Sequence, residues 1–92
     1  MKTYNPKEVN QKLKELKNWI HEGNSLEGIF TFKNFSEALG FIVRIGLLAE
    51  QADHHPEIYN VYNKVRIRLN THSAGGITDK DFSLAVKIDA LD

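Results

Sequence analysis

Between Asn34 and Pro56 the chain carries one long helical pattern whose two ends are both marked by specific residues. Phe35, Ala38, Leu39, Ile42, Ile45, Leu48, Ala49 and Ala52 recur at helical spacing, so a helix over Phe35 to Ala52 presents a broad apolar stripe. Asn34 with Glu37 three residues on makes a capping-box-like start. Pro56 disfavours helical backbone at His55, so the helix must end at or just before the His54-His55 pair. A stripe that wide has to be covered by a sheet or by other helices. In 92 residues there is material for one domain, residues 1–92, with a thin core that gains from helix-on-sheet packing or from oligomerisation.

The flanking segments supply the sheet. Asn5, Pro6 and Glu8 predict a capped helix through about Lys17, with Val9, Leu13 and Leu16 on one face. Strand-like runs at Trp19 to His21 and Ser25 to Lys33 flank the turn signal Glu22-Gly23-Asn24, and imperfect alternation in the second predicts a bulge near Gly28. After Pro56, Ile58 to Tyr62 and Val65 to Thr71 read as a hairpin turning at Asn63-Lys64, with Val65, Ile67 and Leu69 on one face and Arg66, Arg68 and Asn70 on the other. Thr78 ahead of Asp81 makes a second capping box, opening a last helix with Phe82, Ala85 and Val86 inward. The order helix, two strands, helix, two strands, helix predicts an α+β fold: an antiparallel sheet with about three helices packed on one face.

Composition removes several function classes. Lysine plus arginine and aspartate plus glutamate number 12 each, so the net charge is zero and the basic footprint of direct nucleic-acid binding is missing. Without cysteine there is no disulfide, zinc ribbon or thiol nucleophile, and the redox compartment stays open. The first residues carry no apolar signal core and no run reaches the length of a membrane span, so the expectation is a soluble cytoplasmic protein.

Chemistry is concentrated after the long helix. His54, His55 and His72 are three of the four histidines, and Glu50, Asp53 and Asp81 lie among them. Histidine exchanges protons near neutrality, so such a cluster points to proton transfer or metal binding. His54 and His55 meet the negative end of the helix macrodipole, a setting that suits a proton donor or a simple helix-end cap. Glu50, one turn before His54, is placed to orient it or to form an ordinary exposed pair. His72 ends the second hairpin and can return to this corner. Asp81 serves as a capping acid, a role that can coexist with one in the site. Trp19 reads as core unless a flat aromatic ligand calls on it, Asp53 as a helix terminator, and His21 as surface. Adjacent histidines diverge, unlike the spaced pairs of H-E-x-x-H sites, which argues against a metal shell and a metal-dependent hydrolase.

The pattern Glu50-x3-His54-His55-Pro56-x5-Tyr62-x9-His72-x8-Asp81 resembles the pterin-4a-carbinolamine dehydratase family. The likeness extends to Phe30-Thr31-Phe32-Lys33-Asn34-Phe35 and Asn60-Val61-Tyr62-Asn63-Lys64-Val65, and so covers most of the chain. It implies a four-stranded antiparallel sheet with helices on one face, assembled as a homodimer or a homotetramer that is a dimer of dimers. It also implies dehydration of 4a-hydroxytetrahydropterin, the product left by an aromatic amino acid hydroxylase, to quinonoid dihydropterin in tetrahydrobiopterin recycling, without metal or redox cofactor. By the same resemblance His54, His55 and His72 are catalytic and Glu50 and Asp81 support them. Trp19, Asp53, Asn70, Thr71 and Ser73 then meet the pterin. The chemistry needs an acid for the departing hydroxyl and a base for a ring-nitrogen proton, each worth roughly 10²–10⁴-fold. His54 is the expected acid, His72 the opposing base and His55 an orienting donor. Two other roles known in or near the family remain open on these residues: a dimerisation or coactivator scaffold, and pterin handling in molybdopterin metabolism.

Overall fold

A computed structural model describes residues 1–92, with helices α1 (Pro6–Leu13), α2 (Phe35–Ala52) and α3 (Asp79–Asp89) and strands β1 (Trp19–Glu22), β2 (Ser25–Thr31), β3 (Glu57–Val61) and β4 (Lys64–Leu69). The strands form one antiparallel sheet in the order β1-β2-β4-β3, so two sequence-local hairpins join along β2 and β4 while α2 crosses between them. In that register Leu26 faces Leu69, Gly28 faces Ile67 and Phe30 faces Val65. This row, with Val9 of α1, Phe41 and Ile45 of α2 and Leu84, Ala85 and Ile88 of α3, belongs to one buried core. Ile20, Ile29 and Tyr59 alternate to the opposite side of the sheet and are exposed. The helices therefore cover one face, as the element order predicts.

Several local expectations are corrected. Helix α1 stops at Leu13, short of Lys17, because the Lys17 N–H and the Asn18 amide are taken by the Asp89 carboxylate and draw the chain toward the end of α3. Leu16 still packs on the core. No bulge interrupts β2, whose register with β4 is unbroken from Leu26 to Thr31. Alternation falters there because the inward position is Gly28: a Cβ at that site would lie 3.0 Å from the Trp19 ring and from Phe30. On α2 the buried set is Ala38, Phe41, Ile45 and Ala49, so the stripe is rotated to include Phe41, and Phe35 and Leu39 are left exposed. The second hairpin turns at Tyr62-Asn63, one residue earlier than expected, with Tyr62 at φ 51° and Lys64 already paired to Val61. Strand β4 ends at Leu69, two residues before Thr71. On α3, Phe82 and Ala85 face inward as expected, but Val86 points to solvent and Leu84 and Ile88 fill the core.

Candidate active site

The end of α2 decides which way each histidine points. Asp53 adopts the left-handed conformation (φ 49°, ψ 45°), its N–H bonds Glu50 O at 3.2 Å, and the His54 N–H reaches back to Ala49 O at 3.1 Å. These two bonds are those of a Schellman motif, with aspartate in the place glycine usually takes. The reversal carries His54 inward, to 9% exposure, and leaves His55 outside.

Inside, His54 Nε2 lies 2.5 Å from Asp81 Oδ1. Asp81 is fully buried, and its two oxygens do different work. Oδ2 accepts from the Thr78 N–H at 2.9 Å, closing the capping box of α3, and from the Thr71 hydroxyl at 2.8 Å. The cap and site placements thus coexist in one carboxylate. An ionised carboxylate only accepts, so Nε2 of His54 carries the shared hydrogen and Nδ1 is left on the other edge of the ring. His54 borders a cleft of about 290 Å³ with Ala52, Asp79, Lys80, Ser83 and Leu84. At its rim the Tyr4 hydroxyl donates to Asp79, a bond that raises the tyrosine's pKa, and Tyr4 N–H bonds Ile77 O at 2.9 Å.

Outside, His55 Nε2 lies 2.5 Å from Glu50 Oε1. Glu50 therefore couples to His55, not to His54 as its spacing suggested, because the left-handed turn at Asp53 has taken His54 out of its reach. Both side chains of this pair are more than half exposed. His72 is exposed and opens a short 3-10 turn, His72–Ala74. That turn hangs on Thr71, whose carbonyl accepts from the N–H groups of Ala74 and Gly75 at 3.0 Å each, while Thr71 N–H bonds Gly76 O at 2.9 Å. Asn70 donates to Asn24 O and Asn24 to Gly75 O, tying the same loop to the β1–β2 turn.

The expected site residues thus sort into groups. Hydrogen bonds join His54, Asp81 and Thr71, and through Thr71 the backbone that carries His72. Glu50 and His55 form a second pair one residue from His54, with Asp53 exposed beside them and Ser73 exposed beside His72. Trp19 is held elsewhere: its indole N–H donates to Asp89 Oδ1 at 2.9 Å and its ring packs edge-on to Phe30. No group of three histidine, aspartate or glutamate side chains converges so as to hold a metal ion. Two contributors escaped the sequence reading. Thr78 was legible as a cap, but its hydroxyl also lies 2.8 Å from that of Thr71. Asp89 gave one signal, an acid in the last turn of a helix, where the macrodipole disfavours it.

Comparison with known proteins supplies the family. The model of the family described as "Pterin 4 alpha carbinolamine dehydratase" matches residues 2–91. A protein of Sulfurisphaera tokodaii, provisionally named pterin-4-alpha-carbinolamine dehydratase, is 44% identical over 91 residues, covering 99% of this chain and 98% of the relative. The crystal structure of a "transcriptional coactivator/pterin dehydratase" from Brucella melitensis superposes with a TM-score of 0.91 at 38% identity, covering 98% of each chain. A pterin dehydratase-like protein identified as a RuBisCO assembly factor in the alpha-carboxysome shares the fold, with a TM-score of 0.70 at 23% identity over 82% of this chain and 89% of that one. With a family match that runs nearly end to end and a relative 44% identical over almost its whole length, the chain belongs to the pterin-4-alpha-carbinolamine dehydratase family.

Proposed function

We propose that residues 1–92 act as one domain that dehydrates a 4a-hydroxytetrahydropterin by histidine acid-base catalysis. The observation that supports this most directly is the buried Asp81, which accepts from His54 with one oxygen and from Thr71, the residue before His72, with the other. In the reaction the C4a–O bond breaks, the hydroxyl gains a proton and leaves as water, and a base removes a ring-nitrogen proton. One proton is delivered and one is taken, with no change in electron count. Burial argues for exchanging two of the roles that the sequence suggested. His54 is nearly enclosed and committed to Asp81, so it orients the pterin through Nδ1. His55 is exposed, held by Glu50, and delivers the proton to the hydroxyl. His72 takes the ring-nitrogen proton. Asp53 and Ser73 are the exposed side chains left to meet the pterin. Asn70, Thr71 and Trp19 are spent on internal bonds.

The physiological setting in this reading is tetrahydrobiopterin recycling in the cytoplasm, beside an aromatic amino acid hydroxylase. His55→Ala and His72→Ala are each expected to lower kcat by roughly 10²-fold or more in a stopped-flow dehydration assay. Full activity in His72→Ala would sink its role as base.

Self-association is the second part of the proposal. Phe35, Leu39, Val43 and Leu47 recur every fourth residue along the outside of α2 at 43–62% exposure, an apolar row no part of this chain covers. That row supports a homodimer or homotetramer, and it is also the surface a scaffold or coactivator role would use. Sedimentation velocity is expected to show a species larger than 10.5 kDa, and a monomer at micromolar concentration would contradict it.

A further inference from the structure

We infer that Thr71 is a positioning residue that sets His54 and the His72 turn together, with Thr78 as its partner. The inference rests on the dehydratase reading for its kinetic consequence but not for its geometry. Thr71 is 3% exposed and Thr78 fully buried, so neither hydroxyl has water as an alternative partner. The direction of the chain follows from donor counting. Asp81 can only accept, so the single hydroxyl hydrogen of Thr71 goes to Asp81 Oδ2. Thr71 Oγ1 then has only lone pairs for its neighbour, and Thr78 must donate to it. Thr78 Oγ1 in turn accepts the Lys80 N–H at 3.2 Å.

The Thr71 hydroxyl and the Thr78 main-chain N–H together fill Asp81 Oδ2 with two donors and leave Oδ1 for the His54 Nε2–H. No buried side-chain nitrogen or oxygen in the protein lacks a partner. Thr71 acts a second time through its main chain, since its carbonyl and N–H hold the turn in which His72 sits. One residue so fixes the azimuth of a ring on the end of α2 and the start of the loop bearing the other histidine.

Thr71→Val keeps the shape and removes the hydroxyl, which strands the Thr78 hydrogen and leaves Asp81 Oδ2 held by the Thr78 N–H alone, so the carboxylate is less firmly oriented toward His54. The test compares Thr71→Val and Thr71→Ser in the full chain by two readouts. In imidazole nitrogen NMR the wild-type His54 is expected as the Nε2–H form with a slowly exchanging ring proton. Thr71→Val should show faster exchange and a mixture of ring forms, and Thr71→Ser the wild-type pattern. In the dehydration assay Thr71→Val should lose roughly ten- to a hundredfold in kcat, since His54 orients the pterin and a small misplacement of a positioning group costs up to about 10²-fold, with KM little changed. Thr71→Ser should recover most of that loss. Wild-type kcat and ring exchange in Thr71→Val, or a serine variant no better than valine, would overturn the inference. If the wild type accelerates no dehydration, the dehydratase reading falls and the NMR comparison alone decides the positioning role. If Thr71→Val does not fold, a wild-type His54 found as the Nδ1–H form overturns it.

Discussion

The two adjacent histidines show how much one residue's backbone decides. Their place at the end of α2 was legible from Pro56, but their division into a buried and an exposed ring was not. Asp53 makes that division by adopting a positive φ, and no periodicity announces an aspartate in that conformation. Glu50 pairs with His55 and not His54 for the same reason. Gly28 is the converse case, where a residue read as a bulge is a contact requirement. Trp19 lies against it so closely that an added methyl must displace either the indole or Phe30. Gly28→Ala is therefore expected to cost about 1–3 kcal/mol of stability, the usual range for overpacking a filled core. Chemical denaturation measures the cost, and Trp19 fluorescence should shift in the native state. An unchanged midpoint would mean that the ring has room to move.

At the level of elements, helix starts were more legible than helix ends. Asn5, Asn34 and Thr78 all cap, since a cap is a local exchange between a side chain and the first turn, but the box expected at Asn34 is only half made because the Glu37 carboxylate accepts from the Lys33 N–H. Helix α1 ends early because of Asp89, some seventy residues away, which no local pattern could indicate. The capping box of α1 also carries a charge effect. Glu8 accepts from the Asn5 N–H and, with its other oxygen, from Lys2, and these bonds lower its pKa below the usual 4.5, the backbone bond contributing most. A carboxyl lowered on folding stabilises the fold above its unfolded value and loses that contribution as pH falls through the folded one. Glu8→Gln keeps an acceptor for Asn5 and deletes the charge. The variant should be less stable than wild type at pH 6, and the gap should close below pH 4.5 as Glu8 protonates. A gap independent of pH would assign the effect to shape.

For the molecule as a whole, the hairpins and the helical stripe made an antiparallel sheet under helices legible, but not the strand order β1-β2-β4-β3. That order depends on how α2 lies across the sheet, and therefore on Phe41, Ile45 and the core they share with β4 and α3. The site depends on the same arrangement. His54 comes from the end of α2, Asp81 from the first turn of α3 and Thr71 from the exit of β4, so the pairing exists only once all three elements are packed. The exposed row on α2 lies outside that junction, which leaves room for assembly and catalysis in one small chain. The most direct measurement of the central claim is the stopped-flow decay of 4a-hydroxytetrahydropterin, generated by a hydroxylase, with and without the protein across pH. Faster decay with a histidine-like pH dependence, diminished in His55→Ala, is the predicted result. Decay at the spontaneous rate at every pH would contradict the account.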